Sequence, residues 1–159
     1  MIIISDTSPL CYLILIDCID ILPQLYGNVI ITEAVYQELQ AEATPEIVKK
    51  WIKNPPNWLI IETINDLSDT ELDKLDQGEK EAIILAEEIK ADLVILDDKI
   101  ARNIANKRGL KIIGLLGILG NAAQNNLIDL STKITELQQT SFFISPKLLN
   151  LVRKKFNLE

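Results

Sequence analysis

The sequence lacks histidine altogether and has only two cysteines. Without histidine it can form neither a Ser-His nor a Cys-His catalytic pair, and it offers no imidazole ligand for a metal. Cys11 and Cys18 are too few for a four-ligand zinc site. If one helix joins them, their Cα atoms lie about 10 Å apart, too far for a disulfide, so we expect reduced packing residues. Any catalysis must therefore use carboxylates, hydroxyls, lysines or a metal bound by oxygens.

Long apolar runs are missing too. No stretch approaches the ~20 apolar residues of a membrane helix. The N-terminus also lacks the basic flank, apolar run and small-residue cleavage site of a secretory signal. We therefore expect a cytoplasmic protein with no membrane partner. With 159 residues the chain fits a single domain, which we divide into a core over 1–125 and a C-terminal helical extension over 126–159.

The charge is negative on balance but unevenly spread. The net charge of −7 differs from the basic surface that is typical of nucleic-acid-binding scaffolds. From residue 99 to residue 111, however, there are five basic residues and no acidic one: Lys99, Arg102, Lys107, Arg108 and Lys111. Such a run is a solvated helix face unless a functional site adjoins it.

Five short apolar runs rich in Ile and Val are typical of strands buried on both faces of a parallel sheet. They cover residues 2–4, 29–31, 59–61, 93–96 and 112–113. Helical patterns lie between and after them, over 33–40, 44–52, 79–90, 98–108 and most of the chain beyond 115. Helix starts are indicated by Thr44-Pro45, by the Ser68/Glu71 capping-box spacing and by Ser145-Pro146. The alternation predicts a three-layer α/β domain with right-handed crossovers.

Two of the predicted strands end in carboxylates. Asp6 closely follows the run 2–4, and Asp97 and Asp98 directly follow the run 93–96. In an α/β sheet, ligands bind beyond the carboxyl ends of the parallel strands, so Asp6 and Asp97 should lie at one edge. Either aspartate alone is also a good helix N-cap, because each precedes a helical pattern.

Glu38 is a third candidate because it falls on an apolar helix face. On a helix over 33–40, at ~100° per residue, it lies in the stripe formed by Ala34, Val35 and Leu39. A carboxylate in such a stripe is costly unless it is paired, protonated or bound to a metal.

The string GEKEAIILA contributes two further acids in one helical turn. Both Glu79 and Glu81 complement the helix dipole at that position. On the helical wheel Glu79 lies near Ala82, Ile83 and Ala86, whereas Glu81 points away from that cluster. The wheel favours Glu79, and both residues remain candidates.

Carboxylates that converge at one sheet edge repel each other unless a cation lies among them. Hard oxygen ligands without histidine or cysteine favour Mg²⁺ or Mn²⁺. An ion of this kind, sharing its coordination with a substrate phosphate, indicates hydrolysis of a phosphodiester. Basic residues directly after Asp97-Asp98 are then suited to hold a nucleic-acid backbone, namely Lys99, Arg102, Lys107 and Arg108.

Four motifs in order over residues 1–120 resemble PIN-domain nucleases, and among these the VapC-like toxins. They are SDTSPL, VYQEL, GEKEAIILA and LVILDDKIAR followed by GLKIIGLLGIL. The resemblance implies a three-layer α/β/α Rossmann-like fold with a central parallel sheet. It also implies a metal-dependent endoribonuclease whose catalytic acids are Asp6, Glu38, Glu79 and Asp97. The string Glu81-Ala82-Ile83 looks more like the family's usual third acid, so the choice between Glu79 and Glu81 stays open.

The resemblance extends to neighbouring residues and to partners. The metal ligands would be Asp6, Glu38, Glu79, Glu81, Asp97 and Asp98, the last for a second metal or its water shell. Thr7 or Ser8 would offer a hydroxyl to the site. Such toxins cleave RNA, usually pair with a small antitoxin and form homodimers. Many have Asp where this chain has Glu, which is compatible with ligation but can change metal preference or activity.

Other folds fit the motifs less well. A receiver domain needs its acid pair after the first strand, and here the pair follows a late one. Gly114, Gly117 and Gly120 have the wrong spacing for a dinucleotide fingerprint. A haloacid-type phosphatase needs D-x-D where this chain has Asp6-Thr7-Ser8. The remaining alternative is a catalytically weak or inactive PIN fold that binds RNA or a protein.

Overall fold

The computed structural model describes residues 1–158 and contains a five-stranded sheet in which every pairing is parallel. The strand order is β3-β2-β1-β4-β5. The strands are β1 Ile3–Ser5, β2 Val29–Thr32, β3 Leu59–Glu62, β4 Leu93–Ile95 and β5 Ile112–Ile113. All five predicted strands are present, and the predicted α/β/α class is confirmed.

Helices connect the strands and cover both faces of the sheet. They are α1 Thr7–Leu15, α2 Ile21–Tyr26, α3 Glu33–Glu38, α4 Glu46–Lys53, α5 Gln77–Glu88, α6 Lys99–Lys107, α7 Leu115–Gln124, α8 Leu130–Gln138 and α9 Pro146–Lys155, with a 3₁₀ helix over Thr70–Lys74. In residues 1–158 no helix has the length and apolarity needed to cross a membrane.

Neighbouring residues of the central strands enter two separate apolar layers. Ile3 packs with α1, α4, α7 and α8, whereas Ile4 packs with α5 and α6 on the opposite face. Both side chains are fully buried. Successive side chains of a strand point to opposite faces, so a strand covered on both sides is apolar at nearly every position. This is why the runs in the sequence do not alternate.

The register of the strands decides where the acids lie. Ser5 of β1 pairs with Ile95 of β4, and the backbone N–H of Asp6 donates to the Ile95 carbonyl at 3.0 Å. The residues that follow β1 and β4 therefore leave the sheet at the same edge. Because the strands are parallel, this is the carboxyl edge, where α/β domains bind ligands.

Two predicted helix starts are wrong. Ser68 and Glu71 form no capping box, because the Ser68 hydroxyl bonds to Asp66 and the 3₁₀ helix begins only at Thr70. Thr44 does not cap α4, since its hydroxyl donates to the Glu38 carbonyl, and Pro45 holds the cap position.

The last predicted helix start is present, and the cysteines are as expected. The Ser145 hydroxyl accepts from the Leu148 N–H at 3.1 Å and caps α9. Cys11 and Cys18 are both free thiols. Apolar residues of α8 and α9 belong to the core layer that contains Ile3. The division into a core and an extension at residue 125 stays a prediction.

Candidate active site

A cleft of about 570 Å³ opens at the carboxyl edge of the sheet. Seven of its lining residues were candidates from the sequence, five acids and two hydroxyls. The acids follow the ends of two strands, β1 and β4, or lie on two helices, α3 and α5. The acids and hydroxyls of the lining are Asp6, Thr7, Ser8, Tyr12, Glu38, Asp76, Glu79, Asp97, Asp98 and Ser141. The tertiary structure thus brings together most of the acids proposed from the sequence, and it adds Asp76.

Asp6 lies at the bottom of the cleft and is only 4% exposed. It occupies the N-cap position of α1, yet its side chain makes no capping hydrogen bond. Its Oδ1 is buried and has no hydrogen-bond partner within the described chain. The N-cap interpretation of Asp6 therefore does not hold, and one buried carboxylate oxygen is left unsatisfied, which is costly without a cation or a proton.

Glu38 is held at the cleft by two short contacts. The Thr7 hydroxyl donates to its Oε1, and the backbone N–H of Gly78 donates to its Oε2 at 2.9 Å. Glycine at position 78 leaves the space that this carboxylate occupies, because a Cβ there would stand 2.3 Å from the same Oε1. Glu38 was expected on the core-facing side of α3. Its carboxylate is directed to the cleft, where groups of α1 and α5 hold it.

Asp76 is the residue that the sequence reasoning missed. Oxygens of Asp6, Glu38 and Asp76 lie within 4.8 Å of one another. Asp76 is also the N-cap of α5, where its Oδ1 accepts from the Glu79 N–H at 2.8 Å. The D-x-x-E spacing of Asp76 and Glu79 before an apolar run is a capping-box signal that the sequence analysis assigned to Ser68 and Glu71 instead.

Glu79 and Glu81 are both 8% exposed but have different surroundings. Glu79 lines the cleft, and its Oε1 accepts from the Asp76 N–H at 3.2 Å. Glu81 faces α3, where its Oε1 accepts from the Ala34 N–H at 3.1 Å, and it is not part of the cleft lining. Glu81 is buried because α3 packs on that side of α5, which the helical wheel could not show. The geometry favours Glu79 over Glu81 as a cleft acid.

The adjacent acids Asp97 and Asp98, which follow β4, have different surroundings. Asp98 is exposed and caps α6 by accepting from the Ala101 N–H at 3.0 Å. Asp97 instead accepts from the Leu115 N–H of α7 through Oδ1, and its Oδ2 is buried with no partner in the described residues. A Cβ on Gly114 would stand 2.8 Å from Asp97 Oδ1. The absence of a side chain at Gly114 thus leaves room for the Asp97 carboxylate, as it does at Gly78 for Glu38.

Burial raises the pKa values of three of these acids, and repulsion by neighbouring carboxylates adds to the effect in Asp6 and Glu79. Burial, and further the negative charges of Asp76, Glu79 and Glu38, raises the pKa of Asp6 well above its usual value. Burial raises the pKa of Glu79 to about 7, with Asp76 as the next cause. Burial also raises the pKa of Asp97, against the lowering effects of the Leu115 N–H and of Arg102. Acids with strongly raised pKa values in one cleft are typical of functional sites.

The residues present fit a divalent cation. The cleft offers several carboxylates and hydroxyls, and Asp6 Oδ1 and Asp97 Oδ2 are unsatisfied acceptors. A donor set made of oxygen alone, without nitrogen or sulfur, suits Mg²⁺ or Mn²⁺. A cation among the acids would favour their charged forms and so oppose the effect of burial and of mutual repulsion on their pKa values.

The basic residues proposed to hold RNA have different environments. Lys99 and Lys107 are exposed on α6. Arg102 lies beside Gly114, where its Nη1 would stand 2.5 Å from an added Cβ. Arg108 is bound by carboxylates on another side of α6, at 2.8 Å from Asp69, 2.9 Å from Glu71 and 2.7 Å from Glu87. The three carboxylates of the same chain therefore account for the Arg108 guanidinium without a nucleic-acid partner.

A Rossmann-like parallel sheet with a carboxylate cluster at its carboxyl edge defines an α/β domain of nuclease type. A family model described as a PIN domain matches residues 2–158. The chain therefore belongs to the PIN-domain family, whose members are generally nucleases and usually use divalent metals. The comparisons with curated proteins and with solved structures find no match.

Proposed function

We propose that this PIN domain is a metal-dependent endoribonuclease that hydrolyses RNA phosphodiesters at the acid cleft. The observation that carries the proposal is the convergence of Asp6, Glu38 and Asp76, whose carboxylate oxygens lie within 4.8 Å of one another. Asp6 is buried and its Oδ1 lacks a partner, which costs folding free energy, so its place among further carboxylates supports a role in binding a cation.

Asp6, Glu38, Asp76 and Asp97 would hold a Mg²⁺ or Mn²⁺ ion, with Glu79 beside them. When bound, the ion supplies an acidified water and positive charge at the phosphate. The chain itself orients the acids. The Thr7 hydroxyl and the Gly78 N–H fix the two oxygens of Glu38, and the Leu115 N–H fixes one oxygen of Asp97. Such positioning by outer hydrogen bonds sets ligand geometry before the ion arrives.

The narrower biological role is also a proposal. The motifs SDTSPL and GEKEAIILA resemble VapC-like toxins. On this basis we propose a ribonuclease toxin that pairs with a small antitoxin protein, forms a homodimer and acts in the cytoplasm. The family membership supports nuclease chemistry, while RNA as the substrate rests on the resemblance.

The test is cleavage of a mixed pool of single-stranded and structured RNAs by the purified protein with Mn²⁺, Mg²⁺ or EDTA. The Asp6→Asn and Asp97→Asn variants are run in parallel, and Glu33→Gln, an exposed acid outside the cleft, is the matched control. We expect cleavage that requires a metal, is abolished in both aspartate variants and persists in the control. Absence of cleavage with every metal, or cleavage that survives in both variants, would favour the binding-module alternative.

A further inference from the structure

A second groove of about 530 Å³ adjoins the acid cleft. The two depressions share Asp97, Phe142 and Phe143. The groove runs between the edge strand β5 with α7 on one side and α9 on the other. Its wall is largely apolar, from residues Ile112, Ile113, Leu116, Leu148, Leu151 and Val152. A polymeric ligand bound across the acid cleft can therefore continue into this groove along the protein surface.

Phe143 stands at the junction and is 80% exposed. The segment that carries it is anchored by its neighbours. Phe142 packs edge-on against Tyr12, with ring centroids 5.1 Å apart, and the Tyr12 hydroxyl bonds to the Ser141 hydroxyl at 2.8 Å. These contacts hold the backbone directly before Phe143, while the Phe143 ring itself remains largely exposed to solvent. An exposed aromatic ring on a fixed segment offers a flat surface for a nucleobase.

The charges in the groove complement an anionic chain. Among the described residues that line it, the cations are Arg102 and Lys155, and the single carboxylate is Asp97 at the boundary with the cleft. Lys155 belongs to the last turn of α9, which also carries Arg153 and Lys154. A chain with a net charge of −7 therefore presents cations beside its acid cluster. A polyanion is the partner that this local charge selects.

We propose that the groove binds the single-stranded part of the nucleic acid next to the cleaved bond, with a base stacked on Phe143 and phosphates at Arg102 and Lys155. The proposal rests on the proposed function, because the acid cleft supplies the strand that enters the groove. A single strand is required because only an unpaired base exposes its face to an aromatic ring. The groove would thus select unpaired RNA.

The test is binding of a short fluorescein-labelled single-stranded RNA, measured by fluorescence anisotropy in EDTA so that turnover plays no part. We compare Phe143→Ala, Phe143→Leu and Phe143→Trp with Leu67→Ala, an exposed apolar residue outside both depressions. Loss of base stacking weakens binding roughly tenfold. We expect this loss in the Ala and Leu variants, while Phe143→Trp and Leu67→Ala bind as the parent does.

A second comparison tests the phosphate contact. Lys155→Ala should weaken binding and reduce its salt dependence, whereas Lys53→Ala, an exposed lysine of α4 outside both depressions, should not. Equal affinity of Phe143→Ala and Leu67→Ala would overturn the inference. It would also fail if the parent formed a dimer by analytical ultracentrifugation that Phe143→Ala dissolved without a change in RNA affinity, since the groove would then bind protein.

The outcomes separate this inference from the proposed function. Metal-dependent cleavage together with binding that is insensitive to Phe143 would remove the groove proposal and leave the nuclease. Binding that depends on Phe143 without cleavage under any metal would remove the nuclease and leave the groove as an RNA-binding surface.

Discussion

The backbone N–H of Gly78 donates to Glu38 Oε2 at 2.9 Å, and the position where a Gly78 side chain would begin is already filled by the Glu38 carboxylate. The two residues are 40 positions apart in the chain. Helix α5 therefore provides both a hydrogen bond and the space that hold the Glu38 carboxylate over the cleft.

Gly78→Ala should weaken metal binding without weakening the fold. The new Cβ would displace the flexible end of Glu38, while replacing glycine in a helix stabilises it by up to ~1 kcal/mol. We expect lower Mn²⁺ affinity by calorimetry together with an unchanged or higher melting temperature of the metal-free protein. Gly117→Ala in α7, whose new Cβ would contact only the Ile113 side chain, is the control. If Gly78→Ala bound Mn²⁺ as tightly as the parent, the position of the Glu38 carboxylate beside Gly78 would not matter for metal binding.

Asp76→Asn should lower metal affinity, whereas Glu81→Ala should lower the stability of the fold. Asparagine still caps α5 but removes a charge from the cluster, so we expect Mn²⁺ affinity to fall by tenfold or more at nearly constant stability. Removing the Glu81 carboxylate leaves the half-buried Ala34 N–H without its acceptor, which costs about 1 kcal/mol. Urea unfolding and Mn²⁺ titration of both variants check this. Loss of metal binding in Glu81→Ala alone would assign the third acid to Glu81 instead.

The stability of the metal-free protein should fall as the pH rises from about 4.5 to about 7. The pKa of Glu79 is about 7 in the folded chain, against an ordinary value of 4.5. In that range the folded protein binds more protons than the unfolded chain, so increasing pH favours unfolding. The check is the urea midpoint in EDTA across this range for the parent and for Glu79→Gln, whose amide does not ionise. A slope that is as steep in Glu79→Gln as in the parent would refute the assignment to Glu79.

Arg108→Ala should affect folding and leave RNA binding unchanged. Its guanidinium pairs with Asp69, Glu71 and Glu87, and it links the 3₁₀ region and α5 to the end of α6. We expect a lower urea midpoint, by an amount that shrinks at high salt, because exposed ion pairs are screened. Arg102→Ala, in the groove, should show the reverse: weaker RNA binding in the anisotropy assay. Equal losses of RNA affinity in both variants would show that Arg108 also contacts RNA.

The sequence indicated the sheet and two of its acids because these depend on local pattern. A strand buried on both faces is apolar at nearly every position, and the residues that follow parallel strands must share one edge. Asp6 and Asp97 could therefore be assigned to one site before any contact was known. Glu38 followed from helical periodicity, because an acid in a core-facing stripe needs a reason to be there.

Asp76, Glu81 and Arg108 could not be assigned in this way, because their roles depend on which elements pack together. Asp76 precedes its helix as an ordinary N-cap, and only the packing of α5 against α3 and β1 brings it beside Asp6. Glu81 and Glu79 occupy the same turn, and the packing of α3 decides which of them faces the cleft. The sequence by itself determined the strand ends and the kind of ligand atoms they carry. Only the tertiary structure decided which carboxylates converge, since that depends on distances between residues far apart in the chain.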